Sequence, residues 1–244
     1  NPAIMAEEMA AIPGLAGATT IGVDALSPGF RKAAARFAPD ARLRPVDDLL
    51  ASLRRAKSDD QVDRIRTACA VARSGLDAVS EALAGGDKVA GEGAPGPGVL
   101  RGGALEALAR AGATIPSSGV RVSVDAGSTT VDVGVLVDDW EGGVGRTLGA
   151  DGSPRGGRTE ERVHALIAAC EAGANGRRIQ ACAGDDPWLV RGVGMGFEHP
   201  VVGPVVGSDV ELVDGDVLSV EVSGPGRHHR EVLVVTSDAP EILT

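Results

Sequence analysis

Glu198 and His199 stand side by side, and an imidazole next to a carboxylate is well suited to moving a proton near neutral pH. Neighbours on an extended chain point to opposite faces, so the two share one site only if the chain turns there. Asp132 and Glu221 each interrupt a valine-rich run, Val131 to Val137 and Val217 to Val222, and the alternation of the first turns Asp132 to the face opposite its valines. His228, His229 and Arg230 follow Gly224-Pro225-Gly226 and read as the polar tip of a hairpin, His228 above all. The run Gly192-x-Gly194-x-Gly196 has the spacing of a nucleotide loop but not the strand-before, helix-after context.

The rest of the composition narrows the chemistry. The chain has no Tyr, and only His164, His199, His228 and His229 are open to a histidine mechanism. His164 lies beside an apolar helical stripe and reads as structural. Cys69, Cys170 and Cys182 are odd in number and far apart, which reads as reduced thiols and not as a metal cage. Lys and Arg total 24 against 34 Asp and Glu, a net charge of −10, which argues against nucleic acid as a partner. No apolar run approaches the ~20 residues of a membrane span, and no leader opens the chain, so a cytoplasmic location away from membranes is expected. Asn1 in first place leads us to expect sequence ahead of it.

These residues need elements to hold them. Residues 20–23 read as a strand, 28–37 as a helix and 43–53 as a further segment, with too few large apolar side chains for a core of their own. Ser58 and Gln61 form a capping box with Asp59 and Asp60 in the first turn, followed by an apolar stripe from Val62 to Leu83 and a stop at Gly85-Gly86. Residues 89–98 read as a Gly/Pro-rich loop and 100–111 as a second helix. Thr159 is expected to cap a third helix carrying Val163, Leu166, Ile167 and Cys170. From Val120 the period turns to two, and strand runs return at 201–206, 217–222 and 232–236. Helices followed by hairpin-like strands spell an α+β domain.

Five segments, in order, resemble the pita-bread superfamily of methionine aminopeptidase, prolidase, aminopeptidase P and creatinase. They are Leu53-Arg54-Arg55-Ala56-Lys57-Ser58 with Val62, Ile65 and Arg66; the stretch from Asp132 through Trp140 to Arg146-Thr147; Val190 through Gly196 to Pro200; Asp216 to Glu221; and Glu231 to Thr244. The resemblance implies a pita-bread fold of curved antiparallel sheets and outer helices over residues 51–244. Residues 1–50 would then be the tail of an N-terminal domain or a linker. It also implies a homodimer.

The family's peptidases hold two divalent ions with two Asp, one His and two Glu, because a bridging hydroxide needs two Lewis acids close together. Carried onto this sequence, the first Asp is Asp132 and the first Glu is Glu221. The second Asp falls on Gly143, the His on Arg191 or, with the turn shifted, Val193, and the last Glu on Arg230. The resemblance therefore implies a degenerate site with no metal and no other cofactor. Creatinase works without metal through a histidine ahead of the first Asp, but residues 115–130 contain no His.

The expected function is a metal-independent hydrolase or lyase acting on a small amino-acid-like or amide substrate. Asp132, Glu198, His199 and Glu221 would be its catalytic groups, and Trp140, Arg191, His229 and Arg230 its binding groups. A second reading is a non-catalytic pseudo-peptidase that binds a peptide or metabolite, and a third a metal-dependent Xaa-Pro peptidase. Arg230 is further expected to occupy the vacated metal position and pair with Glu221, Asp132 or both.

Overall fold

The structure, a computed structural model, describes every residue except 1, 16, 25–26, 86–94, 114 and 126. The chain divides into two compact units, Asn1–Arg54 and Arg55–Thr244.

In the first unit, helix α1 (Pro2–Ala10) is followed by strand β1 (Thr20–Val23), helix α2 (Pro28–Phe37) and strand β2 (Arg42–Pro45). Helix α3 (Asp47–Arg55) follows. Strands β1 and β2 pair in parallel. Ser27 caps α2 by accepting a hydrogen bond from the Phe30 N–H, with Pro28 at the first helical position where its missing N–H costs nothing. Contrary to the sequence expectation, this unit has a small core of its own. Ile21, Val23, Phe37 and the alanines 6, 33, 34 and 38 close around one another, small residues serving where large ones are scarce.

The second unit opens with α4 (Asp59–Ala84), where the Ser58 N–H donates to Gln61 Oε1 at 3.0 Å and Gly85 takes the C-cap. Helix α5 (Pro97–Arg110) starts three residues earlier than expected because Pro97 fits its first turn. Residues 89–94 of the anticipated loop lie outside the described residues. There follow β3 (Ile115–Asp125), β4 (Ser128–Val137), β5 (Trp140–Gly149), α6 (Arg158–Ala169), α7 (Gly176–Ala183), β6 (Trp188–Val193), β7 (Phe197–Val202), β8 (Val217–Gly224), β9 (Arg227–Val234) and β10 (Glu241–Ile242). Thr159 does not cap α6. Gly157 does, at φ 122°, and Thr159 is buried in the first turn.

Strands β3 to β10 form one antiparallel sheet in the order β3-β4-β5-β9-β8-β6-β7, with β10 on β9. The β4–β5 hairpin turns through Asp138 and Asp139, both at positive φ, the two-residue geometry that matches the twist of paired strands. Helices α4 and α5 cover the β4–β5 region through Leu76, Val79, Leu100 and Leu108 against Val131, Val133, Val135 and Val144. Helices α6 and α7 cover the β6–β8 region through Leu166 and Ile179 against Val190, Leu218 and Val220. A Cβ on Gly142 would lie 2.2 Å from the Ala68 carbonyl carbon, so only glycine lets α4 rest backbone to backbone on β5, directly behind the site. Among the described residues, no helix is long and apolar enough to cross a membrane.

Candidate functional site

Strand register puts five residues in one row across five strands. Arg121 of β3 faces Asp132 of β4, Asp132 faces Gly145 of β5, Gly145 faces Arg230 of β9, and Arg230 faces Glu221 of β8. The row reads cation, anion, gap, cation, anion. The gap matters because a side chain on Gly145 would collide with its neighbours: its Cβ would be 2.4 Å from Nε2 of His228 and 2.9 Å from Cβ of Arg230. Two residues along β5, a Cβ on Gly143 would fall 2.2 Å from Nη2 and 2.4 Å from Cζ of Arg230. Glycine at both positions opens the volume that the guanidinium fills.

Arg230 is 2% exposed and uses that volume fully. Its Nη1 donates to Asp132 Oδ1 at 3.2 Å, its Nη2 to Glu141 Oε1 at 3.2 Å and its Nε to Ser219 Oγ at 3.0 Å. Glu141 also receives Arg191, Nη1 to Oε2 at 3.1 Å and Nη2 to Oε1 at 2.5 Å, the two-point geometry that a guanidinium offers a carboxylate. Arg121 reaches Asp132 Oδ2 from the solvent side at 2.5 Å. Burial alone would push the Asp132 carboxyl up, but the His228 imidazole, the Arg230 guanidinium and Arg121 together hold it well below the usual carboxylate range.

His228 is buried beside this network. Its Nδ1 is 2.9 Å from Ser223 Oγ, and its Nε2 lies 3.4 Å from Asp132 Oδ1, beyond good hydrogen-bond length but close enough to favour the ionised carboxylate. A cleft of about 580 Å³ opens over Asp132, Ser223 and His228, with Arg121 and Arg227 also on its walls. A second cleft, about 320 Å³, lies against His228 and His229 with Thr147, Arg155 and Glu160.

Other residues singled out from the sequence go elsewhere. Glu198 accepts from the buried Lys57 ammonium at 2.7 Å and from the Met195 N–H at 3.1 Å, so its carboxylate holds the turn after β6. His199 is exposed on β7, the edge strand, and takes no part in the Asp132 network. His229 is buried with its Nε2 2.9 Å from Glu231 Oε1, and Arg146 and Thr244 bond the same carboxylate. Trp140 packs against the Val62, Ile65 and Val193 cluster. Arg191 is engaged by Glu141 and is not presented to the cleft. His164 lies edge to face with His229, ring centroids 6.0 Å apart.

The sequence reading passed over Glu141 and assigned His228 to a hairpin tip. Glu141 had a partial signal. Alternation along β5 puts Glu141, Gly143, Gly145 and Thr147 on one face, and two glycines spaced by two there mark space for side chains of a neighbouring strand.

No family model and no curated relative matches the sequence. Solved structures do. The prolidase of Pyrococcus furiosus is 18% identical, with a TM-score of 0.74 over 92% of this chain and 75% of that one. The prolidase of Pyrococcus horikoshii gives 0.77 at 18% identity over 98% and 77%, and the Xaa-Pro dipeptidase of Bacillus anthracis 0.76 at 20% over 99% and 76%. The fold is therefore the pita-bread fold, the one these prolidases and the Xaa-Pro dipeptidase share.

The fold implies a dinuclear metal centre, and the residues present do not fit one. Gly143 supplies no side-chain donor, Arg191 and Arg230 set fixed positive charge against Asp132 and Glu141, and both carboxylates are already paired. Among the described residues, no group of three or more His, Cys, Asp or Glu side chains is placed to hold a metal ion.

Proposed function

We propose that this chain is a metal-independent pita-bread enzyme that hydrolyses small amino-acid-like amides or esters in the cleft over Asp132 and His228. The observation that carries this reading is the guanidinium of Arg230, wedged into the space left by Gly143 and bonded to Asp132 and Glu141. A fixed organic cation there does for the two carboxylates what a metal ion would do electrostatically, but it has no open coordination position and cannot activate water. Proton transfer then falls to His228, whose ring lies between Ser223 and Asp132 at the cleft wall. An imidazole beside an ionised carboxylate is suited to accept a proton near neutral pH and return it to a leaving group.

The roles first given to Glu198 and His199 have weaker support, since one is tied to Lys57 and the other is exposed on an edge strand. Asp132 keeps its place, as the group that orients His228. Glu221, the last residue of the row, acts on Arg121 through its charge. The homodimer implied by the resemblance, and a cytoplasmic location, belong to the same proposal; a monomer mass in light scattering would remove the dimer.

The experiment is hydrolysis of a panel of aminoacyl amides, aminoacyl esters and Xaa-Pro dipeptides by protein dialysed against EDTA. Turnover of amides or esters that is unchanged by chelation and by added manganese is expected. Xaa-Pro cleavage that appears only with added metal would overturn the reading.

A second reading has its own support: Asp132 and Glu141 are both saturated by arginines, as in a pocket that binds without reacting. Calorimetric binding of a dipeptide without turnover of any panel member would favour that non-catalytic protein.

A further inference from the structure

The β8–β9 hairpin holds a hydroxyl, an imidazole and a carboxylate in one chain of contacts. Ser223 and His228 face each other across the hairpin, with Oγ 2.9 Å from Nδ1. On the far side of the ring, Nε2 is buried, has no hydrogen-bond partner among the described residues, and lies 3.4 Å from Asp132 Oδ1. All three side chains line the cleft of about 580 Å³. A cross-strand Ser–His bond that merely closed a hairpin would need no third group. Here a glycine at position 145 makes room for Nε2 against the carboxylate, since a Cβ there would lie 2.4 Å from it.

We propose that Ser223 is a nucleophile, His228 its general base and Asp132 the group that orients the ring, so that the cleft carries out acyl transfer from small esters or amides. The assignment rests on the metal-independent hydrolase reading above and adds the reaction course. Ser223 Oγ attacks the carbonyl carbon and its proton passes to His228 Nδ1. A C–O bond forms while the carbonyl π pair moves to oxygen. Asp132 faces the Nε2–H of the resulting imidazolium, and Arg121 and Arg227 on the cleft walls supply positive charge for the oxyanion. Collapse of the tetrahedral species reforms the carbonyl and breaks the bond to the amine or alcohol, which leaves with the proton from Nδ1. Water then repeats the sequence on the acyl-serine, releasing the acid and restoring the hydroxyl.

Reaction of the full chain with a fluorophosphonate probe, followed by peptide mass spectrometry, tests this. One adduct on Ser223 is expected, absent in Ser223→Ala and formed about 10²-fold more slowly or worse in His228→Gln. Loss of a buried imidazole can also unfold a chain, so Ser223→Cys gives an independent measurement. Its thiol, beside His228, should react with iodoacetamide at pH 6 at least ~10-fold faster than free cysteine. No adduct, an adduct on another residue, an unslowed His228→Gln protein that retains its native circular dichroism, or an ordinary thiol rate would overturn the assignment. Amide or ester turnover that survives in Ser223→Ala would also overturn it while leaving the metal-independent reading standing. A Ser223 adduct in a protein that turns over none of the panel would support the nucleophile and count against the proposed substrate class.

Discussion

Gly143 and Arg230 are complementary: the position that carries no side chain is the one whose Cβ would lie 2.2 Å from the guanidinium. The resemblance read from the sequence implies an Asp and a Glu at these two positions in the metallopeptidases. Here a side chain at position 143 would collide with Arg230, and a small residue at position 230 would leave the space beside Gly143 empty, so each residue depends on the other.

Gly143→Ala tests that complementarity. The guanidinium cannot swing clear of the new methyl group without giving up Asp132 or Glu141, and overpacking of this kind costs about 1–3 kcal/mol. A lower urea midpoint with an unchanged slope is expected. A midpoint equal to that of the parent protein would show that the space is not filled.

Arg230→Ala should cost more, up to about 3–5 kcal/mol, because it takes the shared guanidinium from two buried carboxylates and leaves Asp132 to the exposed Arg121 and Glu141 to Arg191. Asp132→Asn combined with Arg230→Ala should cost less than the sum of the single variants, since the two side chains bond each other and the contact is lost only once. Strict additivity in a double-mutant cycle would show that the two side chains do not interact.

How far the sequence carried the argument depended on range. The capping box at Ser58, the valine alternation of β4 and the five ordered segments were local signals, and each found its element. The expectation that Arg230 would meet Asp132 came from the family resemblance, and the Nη1–Oδ1 bond meets it. Glu141 and His228 were missed because their roles arise from pairing across strands distant in sequence. His228 reads as a hairpin tip until Thr147, whose hydroxyl bonds both its N–H and its carbonyl, fixes it in the sheet. Glu198 misled in the opposite sense: its neighbour His199 suggested chemistry, while its actual partner, Lys57, is 141 residues away.

Acid should weaken the fold through Asp132 and Glu231. Burial raises both carboxyls, but their partners (His228 and Arg230 for one, His229 and Arg146 for the other) outweigh it, so both titrate below their unfolded-state values. The unfolded chain therefore binds more protons as pH falls. Stability from these groups is fully present above the unfolded range of about 4 and is lost as pH drops through the lower folded values. Melting temperatures between pH 6 and pH 2.5 should fall steeply at the acid end, and less steeply in Asp132→Asn. An identical slope in that variant would remove Asp132 from the acid response.

Two of the three thiols should be silent in the folded protein. Burial pushes Cys69 up to about 11 and Cys170 up to about 12, and both are fully enclosed. The thiolate is the reactive form, so a disulfide reagent at pH 8 should modify at most Cys182 until denaturant is added. Fast modification of all three in native buffer would contradict the packing of α4 on β5 and of α6 in its core.

The central claim is that a guanidinium holds the place where the fold's peptidases carry metal. Its most direct test is anomalous diffraction at the manganese edge from crystals grown in excess manganese. The account predicts no anomalous peak between Asp132 and Glu221, with electron density for the Arg230 guanidinium bridging Asp132 and Glu141. One or two manganese peaks at that position, with Arg230 displaced, would contradict it.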